Sequence, residues 1–127
     1  MQKSDQIFEK AKNLHLKGRI KEAQNLYLKL IQKYKENDKL YFLLGTTFLQ
    51  IKKYNQAINY LNLSIKLNSK FADSYNNLGI ALAETGDFSE AIKNYNKAIE
   101  LKNNFKDAYL NKGIALNNLK DHTQAFN

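Results

Sequence analysis

Cysteine and proline are both absent from this chain of 127 residues. Without cysteine it can form no disulfide, no thiolate metal site and no cysteine nucleophile, and without proline no prolyl isomerisation slows folding. No apolar run approaches the roughly 20 residues that a membrane-spanning helix needs, and the first residues lack the apolar stretch of a signal peptide. The composition predicts a soluble protein without a membrane partner, and a cytoplasmic location fits it.

The sequence also lacks catalytic side chains at spacings that would bring them together in one site. The chain has two histidines, His15 and His122, and they lie near opposite ends of the sequence. No glycine-rich phosphate loop, nucleophile elbow or metal-binding helix motif is present. Because an enzyme site needs titratable groups that converge, we expect no catalytic residue, no metal site, no cofactor and no small-molecule substrate.

Positive charge is in excess, with 20 Lys and Arg against 12 Asp and Glu and a net charge of +8. All of these cations except Arg19 are lysines. Phosphate binding needs such charge, but the arginine forks and exposed aromatic side chains that read or stack on bases are not evident. A basic outer face that binds nucleic acid or another polyanion is therefore only an alternative interpretation.

The chain contains a repeat of 34 residues. Tyrosine recurs at Tyr41, Tyr75 and Tyr109, and a glycine follows each of them four residues later. A more divergent copy opens the chain, where Ala11 and Ala23 keep the same phase. A fixed period of this length predicts an array of stacked units. We expect one domain, 1–127, with repeats at 4–37, 38–71 and 72–105 and an incomplete fourth at 106–127.

Each copy divides into two helices, because apolar residues recur at helical spacing on both sides of a short break. The break falls on a glycine or a lysine in each copy: Gly18, Lys52, Gly86 and Lys120. Capping-box sequences that begin at Asp87 and Asp121 predict the start of a second helix. Small residues predict close approach of the paired helices: Ala11, Gly45, Gly79 and Gly113 at the eighth place, and Ala23, Ala57, Ala91 and Ala125 at the twentieth. The predicted fold class is all-α.

This pattern resembles the tetratricopeptide repeat family, and the resemblance covers residues 4–127. The shared features are the 34-residue period, the aromatic–leucine–glycine cluster of the first helix, and the alanine and aromatic places of the second. The chain differs in having tyrosine where the family usually has tryptophan, and in lacking the family's proline near Lys35, Ser69 and Asn103. The resemblance implies an α-solenoid of antiparallel helix pairs in a right-handed superhelix, acting as a protein–protein interaction scaffold and not as an enzyme.

The resemblance also implies that the first helices of the copies line a concave groove, which binds an extended peptide segment of a partner protein. Asn77 and Asn111 occupy a place where asparagines of the family often bind the peptide backbone, although a common surface residue of this asparagine-rich chain is equally consistent. The family's clamp for a C-terminal carboxylate is not matched, since acids stand where a cation is required. The family's groove places fall in the first copy on Asp5, Phe8, Glu9, Lys12, His15 and Leu16, and in the later copies they include Gln50, Ala83, Glu84, Asn117 and Asn118. The groove residues predicted to bind the peptide are Lys39, Phe42, Leu43, Thr46, Leu49, Asp73, Asn76, Asn77, Ile80, Asp107, Leu110, Asn111 and Ile114.

The fourth copy stops at the twenty-second of its 34 places. Only His122 to Asn127 remain for its second helix, which is too short to hold itself as a helix or to cover the apolar face of the first. We expect that face to be covered by further repeats of a longer protein or by a second copy of the chain, with Ala125 and Phe126 entering the neighbour. Homo-oligomerisation through the incomplete repeat is thus another alternative.

Overall fold

Seven α-helices make up the part of the chain that the structure, a computed structural model, describes: residues 3–124, with the side chains of residues 4–122. They are α1 (Lys3–Leu16), α2 (Ile20–Lys33), α3 (Asp38–Gln50), α4 (Tyr54–Leu67), α5 (Ala72–Glu84), α6 (Phe88–Leu101) and α7 (Lys106–Gln124). No strand occurs in this range, and α3, α5 and α7 begin where the 34-residue period places the copies. The prediction of an all-α helical repeat array is confirmed.

Three tight turns reverse the chain between paired helices. Each has one residue with positive φ: Gly18 at +80°, Lys52 at +65° and Gly86 at +87°. Glycine adopts this backbone without a steric penalty, whereas an L-residue incurs roughly 1–2 kcal/mol. At Lys52 the packing of α4 against α3 offsets that cost.

The fourth expected turn, at Lys120, does not form. α7 is one helix of 19 residues, so the capping-box sequence at Asp121 lies inside it, and the prediction of a second helix starting there is wrong. A turn would put Lys120 at positive φ, and the short segment after it could not bury enough surface to offset the strain. Ala125 and Phe126, which the sequence predicts to enter a neighbour, lie outside the described residues.

The helices form two compact units that divide between Asn68 and Ser69. In the first unit α1 packs on α2, α3 packs on α4, and α2 also contacts α3; in the second unit α6 packs on both α5 and α7. Tyr27 and Leu44 lie in the core of the first unit, and Tyr95 lies in that of the second. Burying a large apolar side chain contributes about 1.5–3 kcal/mol, which holds the paired helices together.

Glycines at the eighth place determine how closely paired helices approach. A Cβ at Gly45 would lie 2.8 Å from Cγ of Leu61, and a Cβ at Gly79 would lie 2.5 Å from Cε1 of Tyr95. The nearest side chain is therefore a large residue of the second helix, not the small one that the sequence pattern suggests. At Gly113 nothing lies within 4 Å of the same position, because no second helix of the fourth copy lies in the described range.

A tyrosine near the start of α3, α5 and α7 holds the turn that precedes its helix. In each case the hydroxyl donates a hydrogen bond to a backbone carbonyl six residues earlier, near the place where the family usually has proline. The three bonds run from Tyr41 to Lys35 (2.8 Å), from Tyr75 to Ser69 (2.9 Å) and from Tyr109 to Asn103 (3.2 Å). Tyr41 and Tyr75, both buried, thus also fill the space between helices, whereas Tyr109 is half-exposed and contributes only its bond to the loop between copies.

Candidate functional site

The first unit contributes one face of α3 to the predicted groove. Its residues recur at helical spacing and so share that face. The hydroxyl of Thr46 donates to the carbonyl of Phe42 at 2.7 Å, which satisfies this polar group within the helix. Lys39 is exposed, and the others are half-buried and mainly apolar: Phe42, Leu43, Thr46 and Leu49.

A hydrogen-bonded histidine, His15, lies beside this face; it occupies a groove place but is not among the residues predicted to bind the peptide. Nδ1 of His15 lies 3.2 Å from the hydroxyl of Tyr27, and Nε2 lies 2.7 Å from Oε1 of Gln50. Tyr27 is 0% exposed, and burial raises its pKa to about 12, so its hydroxyl stays protonated at neutral pH. With that hydroxyl donating to Nδ1, the proton on Nε2 donates to Gln50, and one neutral tautomer satisfies both bonds.

The second unit contributes parts of α5 and α7. Asn76 is only 5% exposed, and its Oδ1 accepts a hydrogen bond of 3.1 Å from Nδ2 of Asn111. This bond joins the two helices and leaves Asn111 a second N–H donor and a carbonyl acceptor, since a carboxamide carries two donors. Leu110 is 64% exposed and Ile114 is 51% exposed on α7. Asp107 is exposed, and the remaining predicted residues are half-buried: Asp73, Asn77 and Ile80.

A pocket of about 350 Å³ opens between α5 and α7 over α6. Its volume lies at the small end of the range for ligand pockets, about 300–1,000 Å³. The resemblance places six of its lining residues in the groove, whereas Phe88 and Tyr95 belong to a second helix and are predicted to lie in the core. The lining residues are Ile80, Ala83, Glu84, Phe88, Tyr95, Asn111, Ile114, Ala115 and Asn118.

Among the described residues, Glu84 is the one charged side chain that lines this pocket. Burial, and to a lesser degree the negative charge of Glu84, raises the pKa of Tyr95 to about 12. The pocket therefore combines apolar walls, a protonated tyrosine and one carboxylate. Such a site can hold a side chain with an apolar stem and a polar or positive end.

Within the described residues, no group of three or more His, Cys, Asp or Glu side chains is placed to hold a metal ion. None of the helices in that range combines the length and the apolar character that crossing a bilayer requires.

Two sequence profiles described as tetratricopeptide repeat match the chain, one over residues 38–71 and one over residues 72–105. Together they cover more than half of it. No curated protein sequence matches the chain significantly.

Several solved structures share the fold. A crystal structure of MamA is 27% identical with a TM-score of 0.84, and the match covers 89% of this chain and 66% of that one, so this chain spans just under two thirds of its length. The first TPR of Spaghetti (RPAP3), bound to the HSP90 peptide SRMEEVD, is 24% identical with a TM-score of 0.89, covering 93% and 94%. The first TPR domain of human RPAP3 is 23% identical with a TM-score of 0.89, covering 95% of each chain.

Proposed function

Because the chain belongs to the tetratricopeptide repeat family of protein-interaction scaffolds, we propose that it binds an extended segment of a partner protein. The segment lies against the predicted groove residues of the second unit, on α5 and α7. Its backbone is held by Asn77 and Asn111, and its apolar side chains rest on residues such as Leu110 and Ile114.

The observation that carries this proposal is the combination of amide and apolar groups on α7. Leu110 and Ile114 are largely exposed on a helix that also carries Asn111, whose carboxamide can both donate and accept. An extended peptide needs backbone hydrogen-bond partners and pockets for alternate side chains, and this surface offers both.

Charge favours an uncharged or basic segment. The peptide bound to Spaghetti, SRMEEVD, contains three acidic residues. Here Asp73, Glu84 and Asp107 belong to the second unit's part of the groove or to its pocket, and they would repel such a peptide.

The test begins with a partner captured on the immobilised chain. Replacing both Asn77 and Asn111 by alanine removes two hydrogen-bonding carboxamides, and we expect the affinity for that partner to fall about tenfold. The matched control replaces Lys66 and Lys93, which are exposed on α4 and α6, and should leave the affinity nearly unchanged. The reverse ranking would move the site to the basic face and favour a polyanion, whose binding would weaken steeply with salt.

A second copy of the chain is the other candidate partner, and it would bind to the face of α7 around Gly113. Within the described part of the chain, Gly113 has no neighbour where Gly45 and Gly79 each have a large one, and Tyr109 and Leu116 are about half-exposed on the same helix. A helix from a second copy could fill that space. Light scattering over a wide concentration range decides it, since a mass that stays monomeric throughout rules this assembly out.

A further inference from the structure

The pocket over Tyr95 has a counterpart in the first unit. The two places are two repeats apart in the sequence, so each lining residue has an equivalent 68 positions earlier. Tyr95 corresponds to Tyr27, and Asn118 corresponds to Gln50. Both tyrosines are almost completely buried at the same point of their helix pair. The two places therefore have a similar floor and can be compared directly.

In the first unit the site over Tyr27 is occupied by a side chain of the same chain, His15. The ring of His15 lies edge-on against Tyr27, with centroids 5.8 Å apart, and its two nitrogens are within hydrogen-bond distance of the Tyr27 hydroxyl and of Gln50. A nitrogen-bearing side chain thus sits over the tyrosine between the two first helices. It shows which kind of group this place can hold.

In the second unit the equivalent of His15 is Ala83, whose methyl group leaves the place open. The equivalent of Leu16 is Glu84, so a carboxylate stands at the rim where the first unit has an apolar side chain. Alanine in place of histidine therefore opens the pocket, and glutamate in place of leucine makes its rim acidic. Both differences favour an occupant supplied from outside the chain.

We propose that the pocket lined by Ala83, Glu84 and Tyr95 binds a lysine or arginine side chain of the partner segment. The aliphatic stem packs on Ile80 and Ile114, and the cationic end lies at the carboxylate of Glu84. This deepens the proposed function and rests on it. An acidic side chain would be repelled by the negative charge of Glu84.

The probes for the test are two blocked heptapeptides that differ only at the central residue, which is arginine in one and glutamine in the other. Each is titrated into the isotope-labelled protein, and the amide signals of Ala83, Glu84 and Asn118 are followed by NMR. We expect the arginine peptide to shift these signals and to bind about two- to fivefold more tightly than the glutamine peptide, the range given by partly exposed ion pairs.

Two variants separate the charge from the cavity. Glu84→Gln removes the charge and should abolish the preference for arginine, whereas Glu100→Gln, an equal charge change on an exposed residue of α6, should preserve it. Ala83→His installs the first unit's own occupant and should suppress the shifts of the pocket signals. If this variant does not fold by circular dichroism, Glu84→Gln alone decides.

The pocket proposal is overturned if the arginine preference survives Glu84→Gln, or if neither peptide shifts the pocket signals. Its failure differs from failure of the proposed function. If the captured partner loses affinity on replacement of Asn77 and Asn111 but not on Glu84→Gln, the groove binds the segment and the pocket does not take its basic side chain. If the pocket discriminates between the peptides while the asparagine variants bind the captured partner normally, the pocket binds a basic side chain but Asn77 and Asn111 do not hold the segment.

Discussion

Replacing the eighth-place glycines by alanine should give effects of opposite sign in different copies. At Gly79 the new Cβ would lie 2.5 Å from Cε1 and 2.7 Å from Cδ1 of Tyr95. Carbon atoms prefer about 3.5–4.0 Å, so the buried ring would have to move by roughly 1 Å. Overpacking of this kind costs about 1–3 kcal/mol, and the better helix propensity of alanine returns about 0.5–1 kcal/mol. We expect Gly79→Ala to lower the free energy of unfolding by about 1–2 kcal/mol.

Gly113→Ala is the matched control, because it is the same change at the same place of the next copy. No atom of the described residues lies within 4 Å of its Cβ position, so only the gain in helix propensity remains, up to about 0.5–1 kcal/mol. Equilibrium urea melts should show the midpoint of Gly79→Ala about 0.5–1 M lower and that of Gly113→Ala unchanged or higher, for a slope of about 1–3 kcal/mol per M. Equal shifts of the two midpoints would refute the close helix approach at Gly79.

Three further predictions concern the buried tyrosines. Tyr75→Phe removes the hydroxyl bond to the Ser69 carbonyl and should cost about 0.5–1.5 kcal/mol in urea melts, against about 3–5 kcal/mol for the cavity left by Tyr75→Ala; equal losses would exclude a separate role of the hydroxyl. The pKa values of Tyr27 and Tyr95 are raised to about 12, so above pH 10 the unfolded chain ionises while the folded one does not. The free energy of unfolding should then fall between pH 10 and 12 by up to about 1.4 kcal/mol per pH unit and tyrosine, and less steeply in Tyr95→Phe. His15→Ala removes the partner of the Tyr27 hydroxyl and should cost about 1–3 kcal/mol, detectable as a lower melting temperature.

The helix positions could be predicted because the same sequence signals recur in each copy of the repeat. Apolar spacing, small residues and breaking residues agree in consecutive copies, and α3, α5 and α7 begin where the period places them. The fourth copy shows the limit of this reasoning. The residues from Asp121 match a capping-box pattern, yet α7 continues through them. A new helix would start there only if it had a surface to pack against, and the local sequence does not show whether such a surface exists.

For the candidate site, the sequence indicates which repeat positions share a surface, but it does not indicate which side chains contact one another. The family resemblance places Ile80, Asn111 and Ile114 in the groove, and they line the pocket. Asn76, however, is buried and bonds to Asn111, which depends on how α5 and α7 lie against each other. The hydrogen bond between His15 and Tyr27 could not be predicted either, because sequence position does not give the orientation of a side-chain ring. A signal did exist: the places equivalent to His15 hold Leu49, Ala83 and Asn117, so His15 is the only titratable side chain among them.

The absence of cysteine makes a direct test of the groove practicable, because any single cysteine introduced is the only thiol in the chain. Ile114 lies in the predicted groove and is 51% exposed, and Leu63 lies outside it on α4 and is 40% exposed. The measurement is the alkylation rate of Ile114→Cys and of Leu63→Cys, each with and without a saturating concentration of the captured partner. We expect the partner to slow alkylation at position 114 about tenfold or more and to leave position 63 unchanged, since a docked segment excludes solvent and reagent. Protection at position 63 with none at position 114 would contradict binding in the groove.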